Sequence, residues 1–183
     1  MIPTKKVSSK ICFVGNGGVG KTSLIGRYVY DKFDDKYLAT IGTKVSRKEI
    51  TLDYPDRSIR FKMDAMIWDI MGQKAFRGLL QDAYFHGTRG VIGVCNLADK
   101  ESLTSLTDWV KSVKNVVGRV PFVLLANKKD LEGEVQVSEA EIEDMATRLS
   151  ATYLYTSAKT GENVQKAFNT IGREMIKNQF NMY

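Results

Sequence analysis

A chain of 183 residues with 43% hydrophobic content can bury one substantial core and leaves little for a second domain, so one domain over 1–183 is expected. No apolar stretch approaches the roughly 20 residues that cross a bilayer, and Met1-Ile2-Pro3-Thr4-Lys5-Lys6 lacks the apolar core of a secretory signal, so a cytoplasmic protein is expected. The formal charge of +6 admits a polyanionic partner, but the 27 basic residues are mixed with 21 acidic ones along the chain, as on a solvated surface, and no nucleic-acid partner is expected.

Lys10-Ile11-Cys12-Phe13-Val14 is a short apolar run stopped by Gly15, which predicts a buried strand feeding a loop. Cys12 and Cys95 each sit in such a run and read as small buried hydrophobes in a reduced compartment. A helix is predicted at about Lys21 to Tyr30. Two strand-like runs, Val45 to Leu52 and Ile59 to Trp68, joined through Asp53-Tyr54-Pro55-Asp56-Arg57, predict a hairpin. In the second run Ile59, Phe61, Met63, Ala65 and Ile67 alternate with Arg60, Lys62 and Asp64, as in a strand with one better-buried face.

From Gly90 onward the apolar runs Val91 to Cys95, Phe122 to Ala126 and Tyr153 to Tyr155 alternate with amphipathic segments of helical length. Leu103, Leu106, Val110, Val113 and Val117 recur at helical spacing, as do Ile142, Met145, Ala146 and Leu149 behind the capping box Ser138-x-x-Glu141. Val164, Ala167, Phe168, Ile171 and Met175 mark a last helix. The order β-α-β-β-α-β-α-β-α-β-α predicts an α/β fold: a six-stranded, mostly parallel sheet with one antiparallel edge strand and helices on both faces. Ligands of such sheets lie beyond the carboxyl ends of the strands, so the loops after Val14, Ile67, Cys95, Ala126 and Tyr155 are expected to carry the chemistry.

Gly15-Asn16-Gly17-Gly18-Val19-Gly20-Lys21-Thr22 satisfies G-x-x-x-x-G-K-[ST] between a predicted strand and a predicted helix. Glycines let the backbone curl so that successive N–H groups face phosphate oxygens, and the helix start adds partial positive charge. Lys21 is expected to neutralise the β- and γ-phosphates and Thr22 to offer its hydroxyl to Mg²⁺. The loop alone would suit an adenine nucleotide equally well, but Asn127-Lys128-Lys129-Asp130 points to guanine. The Asp130 carboxylate can accept from both the ring N–H and the exocyclic amine of guanine, and adenine has no matching pair of donors on that edge. Asn127 would brace the loops, and the Lys128 stem would cover the base.

With these motifs the chain resembles the small GTPases of the Ras superfamily over about residues 8 to 177, most of all the Rab-type branch. Thr40-Ile41-Gly42 is similar to the first switch and Trp68-Asp69-Ile70-Met71-Gly72-Gln73 to the second. Thr156-Ser157-Ala158-Lys159 is similar to the last guanine-contacting loop, and Ala83-Tyr84-Phe85-His86-Gly87-Thr88 to a Rab-type Y-Y-R-G-A segment. The resemblance implies a P-loop NTPase fold and a molecular switch that binds GTP or GDP with Mg²⁺, hydrolyses GTP slowly, and regulates trafficking or signalling through switch-loop effectors. It implies nucleotide contacts from Gly15, Gly17, Gly18, Val19, Gly20, Lys21, Thr22, Ser23, Phe33, Tyr37, Thr40 and Gly72, and at the base from Asn127, Lys128, Asp130, Ser157, Ala158 and Lys159. Thr22, Thr40 and Asp69 would serve the metal. Gln73 would orient the attacking water, with Lys21 and Gly72 assisting at the γ-phosphate. Effector, exchange-factor and activating proteins are the implied partners of a monomer.

The sequence departs from the family in several places. The tail Lys177-Asn178-Gln179-Phe180-Asn181-Met182-Tyr183 has no cysteine, and residue 2 is Ile, so neither prenylation nor N-myristoylation has an acceptor in this chain. Peripheral membrane association stays open. Lys74 replaces the acid that commonly follows the catalytic glutamine, and Met71 replaces an alanine beside the γ-phosphate, where its extra bulk is expected to slow hydrolysis. A competing reading is a module that holds nucleotide structurally, against which Gln73 argues. Another is nucleic-acid binding, which lacks interleaved aromatics and a recognition motif. His86, the only histidine, has no nucleophile or second base arranged with it and is read as a packing or partner-contact residue.

Overall fold

The structure, a computed structural model, describes residues 2–36 and 38–182, the side chains of 74–77 and 79 excepted. In chain order the elements are β1 (Thr4–Val14), α1 (Lys21–Tyr30), β2 (Thr43–Tyr54), β3 (Ile59–Ile70), α2 (Lys74–Phe85), β4 (Thr88–Asn96), α3 (Lys100–Thr104), α4 (Leu106–Val117), β5 (Phe122–Asn127), α5 (Glu139–Leu149), β6 (Thr152–Tyr155) and α6 (Val164–Phe180). The six strands form one sheet in the order β2-β3-β1-β4-β5-β6. Only the edge pair β2–β3 is antiparallel; β1 pairs in parallel with β3 and β4, and β4–β5–β6 continue in parallel.

Two cores sandwich the sheet. On one face Ile11 and Phe13 of β1 and Phe61, Met63 and Ile67 of β3 meet Leu24 and Tyr28 of α1 and Phe168 and Ile171 of α6. On the other, Cys12, Val14 and Val91 meet Phe85 of α2, Trp109 of α4 and Ile142 of α5. Successive strand side chains face opposite sides, so one run, Ile11 to Val14, feeds both cores. That is why β1 is apolar without alternation at its carboxyl end. Cys12 of β1 and Cys95 of β4 are buried in the second core and free, and burial pushes their thiols up, to about 11 for Cys12 and about 12 for Cys95.

The observed elements differ from expectation at three places. β1 starts at Thr4, because its polar first half also pairs with β3, in a register that runs from Thr4↔Arg60 to Phe13↔Asp69. The hairpin strands are likewise longer than their apolar runs, since backbone pairing continues to Tyr54↔Ile59 around a 3₁₀ turn at Pro55–Arg57. The Leu103–Val117 stripe is carried by two helices, α3 and α4, with Ser105 between them in near-helical backbone. The capping box at Ser138 forms as expected, the Glu141 side chain accepting from the Ser138 N–H and Ser138 Oγ from the Glu141 N–H. Among the described residues no helix is long and apolar enough to cross a membrane.

Phe168 is the centre of the α1–α6 core: it is 1% exposed, stacks on Tyr28 at 3.6 Å between ring centres, and lies 5.5 Å from Phe13. Removing the ring leaves a cavity that Tyr28 and Phe13 cannot close without moving a helix or a strand. Phe168→Ala is expected to cost about 3–5 kcal/mol in urea unfolding at fixed nucleotide concentration. A loss below about 1 kcal/mol would mean that the core collapses around the gap.

Candidate functional site

β1 ends at Val14, the chain turns through six loop residues, and α1 begins at Lys21. Gly15, Gly18 and Gly20 have φ of 141°, 77° and 106°. At Gly20 the requirement for glycine is twofold, because a Cβ there would also lie 2.2 Å from Asn127 Nδ2. α1 has no side-chain cap and no acid in its first turn, so its leading N–H groups are uncompensated and suited to an anion. Lys21 lies across the loop, donating to Gly15 O at 2.7 Å and Asn16 O at 2.9 Å. Burial lowers its ammonium to about 8, partly opposed by the Asp69 charge.

The three residues expected at a metal come together. Thr22 Oγ1 lies 2.9 Å from Thr40 Oγ1 and donates to Asp69 Oδ2. Asp69, near the end of β3, is 2% exposed, and its Oδ1 has no hydrogen-bond partner among the described residues. Burial raises this carboxyl, while the Thr22 hydrogen bond and the Lys21 charge oppose the rise. Two hydroxyls and an under-coordinated carboxylate form an oxygen-only set that fits a hard divalent cation.

The second-switch residues stand against the phosphate loop. Gly72 approaches so closely that a Cβ would lie 2.3 Å from Gly17 N and 2.5 Å from Asn16 C, which requires glycine. Met71 is buried, and its N–H donates to Gly42 O at 3.2 Å. Gln73 is exposed at the start of α2 and lines the cavity.

At the other end, Asn127 closes β5 and joins two loops, Nδ2 donating to Val19 O at 2.9 Å and Oδ1 accepting from Thr156 Oγ1 at 3.1 Å. Lys128 takes a left-handed φ of 65°, turning the chain so that Asp130 meets Ser157, whose hydroxyl donates to Asp130 Oδ1 at 2.6 Å.

These parts enclose a cavity of about 870 Å³. Gly17, Gly18, Gly20, Lys21, Thr22, Ser23, Phe33, Thr40, Gly72, Gln73, Asn127, Lys128, Asp130, Ala158 and Lys159 line it. Gly15, Val19 and Ser157, expected as contacts, do not, being buried behind the lining where they shape the loops and set Asp130. Tyr37 lies outside the described residues. Sequence reasoning missed Arg27, which donates to the carbonyls of Ala158 and Lys159. It also missed Asn16, whose side-chain amide donates to Ser105 Oγ at 3.0 Å and accepts from Trp109 Nε1 at 3.3 Å. Neither bond has a local signal, since the partners lie about 90 to 130 residues away. His86 is exposed; its carbonyl accepts from Lys10 Nζ at 3.0 Å.

A sequence model of the Ras family matches residues 10–177. The chain belongs to the Ras family. Ras-related protein Rab-13 of Mesocricetus auratus is 33% identical to it over 168 residues, covering 91% of this chain and 79% of the relative. The proteins of the same name from Bos taurus and Canis lupus familiaris match at the same identity and coverage. This family member is a Rab-like small GTPase.

In this GTPase the Asn127 amide is structural in its own right. Asn127→Ala strands a carbonyl and a hydroxyl in residues that are 1% exposed or less. The expected cost is about 2–4 kcal/mol in chemical denaturation of the nucleotide-free protein. An unchanged midpoint would show that water replaces the amide.

Proposed function

We propose that this GTPase is a switch of one domain, spanning 1–183, that binds GTP or GDP with Mg²⁺ and slowly hydrolyses GTP to GDP and phosphate. The observation that carries the reading is that the phosphate loop, Thr22 and Thr40, and the Asp130 carboxylate, from distant parts of the chain, all border one cavity, with Asp69 bonded to Thr22 just behind its lining. In this reading Gly17, Gly18 and Gly20 turn backbone N–H groups to the phosphates, and Lys21 exchanges its two carbonyl partners for phosphate oxygens. Phe33 and the Lys128 stem flank the base. Asp130 accepts from the guanine ring N–H and amine, with Ala158 and Lys159 at the base edge.

The hydroxyls of Thr22 and Thr40 and the carboxylate of Asp69 would hold Mg²⁺, which when bound supplies positive charge to the β- and γ-phosphate oxygens. Gln73 orients a water for in-line attack on the γ-phosphorus as the bond to the GDP oxygen breaks, and the Gly72 N–H meets the γ-phosphate. Gly17 leaves room for an arginine from an activating protein. Intrinsic turnover is set on the order of 10⁻⁴ to 10⁻² s⁻¹. Switching is supported by the ties of the 40–42 segment to Thr22 and to the Met71 N–H, so that the nucleotide's γ-phosphate orders both switches together. Beside them Leu38 and Ile41 are 79% and 92% exposed, an apolar surface suited to effector and exchange-factor proteins. The protein is proposed to act as a monomer in the cytoplasm or at a membrane surface, in trafficking or signalling. Arg47, Arg60 and Lys62 pair with Asp64, Asp53 and Glu49, so part of the basic surface is already matched by acids and no nucleic-acid partner is proposed.

The test is the nucleotide itself. Protein denatured after purification should release GDP or GTP, and Asp130→Asn should shift preference toward xanthine nucleotides by roughly tenfold or more, because an amide donates where a carboxylate cannot. Release of adenine nucleotides, or a mutant with intact guanine preference, defeats the base assignment. Gln73→Leu should keep GTP affinity within about threefold while slowing single-turnover hydrolysis by roughly tenfold or more, since the water matters mainly in the transition state. Equal rates in mutant and parent would return the chain to the reading in which nucleotide is held and not turned over.

A further inference from the structure

Arg27 belongs to no motif, yet its guanidinium has partners on two walls of the base end of the cavity. Nε donates to Ala158 O at 2.9 Å and Nη2 to Lys159 O at 2.7 Å. Nη1 reaches Asp31 Oδ1 at 3.3 Å, and the guanidinium carbon lies 6.0 Å from the centre of the Phe33 ring, the outer edge of cation–π range. Ala158 and Lys159 form one wall and Phe33 belongs to the other, so a single partly buried cation links segments that are far apart in sequence.

What it does to the first wall follows from peptide geometry. In a trans peptide the N–H points opposite to the C=O. Holding Ala158 O therefore turns the Lys159 N–H away from Arg27, and Ala158 and Lys159 line the cavity whereas Arg27 does not. Holding Lys159 O likewise turns the Thr160 N–H inward, where it donates to Ser157 Oγ at 3.1 Å. That oxygen in turn donates its proton to Asp130 Oδ1 at 2.6 Å. A chain of hydrogen bonds thus runs from α1 through the 159–160 peptide and Ser157 to the guanine-reading carboxylate.

We propose that Arg27 is a positioning residue for the guanine base, setting the Lys159 N–H and the Asp130 carboxylate, and that its contacts with Asp31 and Phe33 make base release and opening of the 31–36 stretch one event. The inference rests on the guanine-nucleotide reading of this site and adds its regulation: a partner that pulls the 31–33 stretch away loosens the base loop without touching it. Arginine suits the task because its planar fork serves two carbonyls and a side partner at once, which a lysine ammonium on a single stem does not.

The experiment follows release of a fluorescent GDP from the Mg²⁺-loaded protein into excess GTP. Arg27→Ala should release it roughly 10- to 100-fold faster than the parent, and Arg27→Lys should restore less than about half of that change on a logarithmic scale. Loss of Asp130 alignment should also reduce, by about threefold or more, the ratio of inosine-diphosphate to GDP dissociation rates, because inosine lacks the amine that Asp130 reads. General loosening would speed both ligands alike and would overturn the proposal. Phe33→Ala combined with Arg27→Ala should fall short of the product of the two single effects, whereas full multiplication would separate the walls and remove the coupling. If Arg27→Ala does not fold, Arg27→Lys carries the same ratio test. A parent that holds no guanine nucleotide sinks the functional reading, whereas a parent that holds GDP beside an Arg27→Ala variant within about twofold of its release rate and inosine ratio sinks this inference alone.

Discussion

Lys21 carries its ammonium into the interior against two neutral acceptors, the carbonyls of Gly15 and Asn16. Two carbonyls do not replace the hydration of a full charge, and the ammonium accordingly loses its proton more readily than a free lysine. Nearby, Asp69 is under the opposite strain: its carboxyl is raised by burial and one of its oxygens has no partner among the described residues. A cation and an anion, each incompletely compensated, stand at the end of one strand pair. In the proposed function phosphate oxygens would relieve the first and a hard cation the second. The curl of glycines around Lys21 and the uncapped helix start that follows serve the same imbalance.

The sheet brings the parts of this site together. β1 lies inside it, between β3 and β4, and its pairing with β3 sets Phe13 opposite Asp69. Thr22, at the second position of α1, then meets the Asp69 carboxylate. Parallel pairing of β4, β5 and β6 sends the carboxyl ends of these strands to the same edge, where Asn127 bonds to Val19 and Thr156. The two cores hold the strands from both faces, so the loop ends inherit their positions from apolar packing that takes no part in the chemistry.

The two ends of the cavity are held with different firmness. At the base end the bonds of Asn127 are buried and those of Ser157 nearly so, where an unmade hydrogen bond is costly. At the phosphate end the 40–42 segment is tied by an exposed hydroxyl contact between Thr22 and Thr40 and by the Met71 N–H to Gly42 O. Each such bond contributes about 1 kcal/mol net, little enough for a γ-phosphate to decide whether the segment is ordered. In the proposed function this difference would give a firm grip on the base and a loosely held phosphate-side segment, the arrangement a nucleotide switch requires.

The sequence alone determined the local features: the phosphate loop between strand and helix, the hairpin, the helical stripes, the Ser138 capping box and the Asn127–Asp130 motif. Each is written in neighbouring residues through backbone sterics, side-chain period or a motif of fixed spacing. The order of elements then implied a parallel sheet and placed the chemistry at its carboxyl edge. Tertiary structure alone decided the start of β1 at Thr4, which depends on the length of its partner β3, and the break at Ser105, where Asn16 from the phosphate loop docks. It decided that Ser157 supports Asp130 from behind the lining, that Gly72 needs to be glycine because Gly17 lies against it, and that Arg27 holds the base loop. These are contacts between residues far apart along the chain, and no periodicity or composition within one segment records which distant carbonyl will lie within reach of a guanidinium.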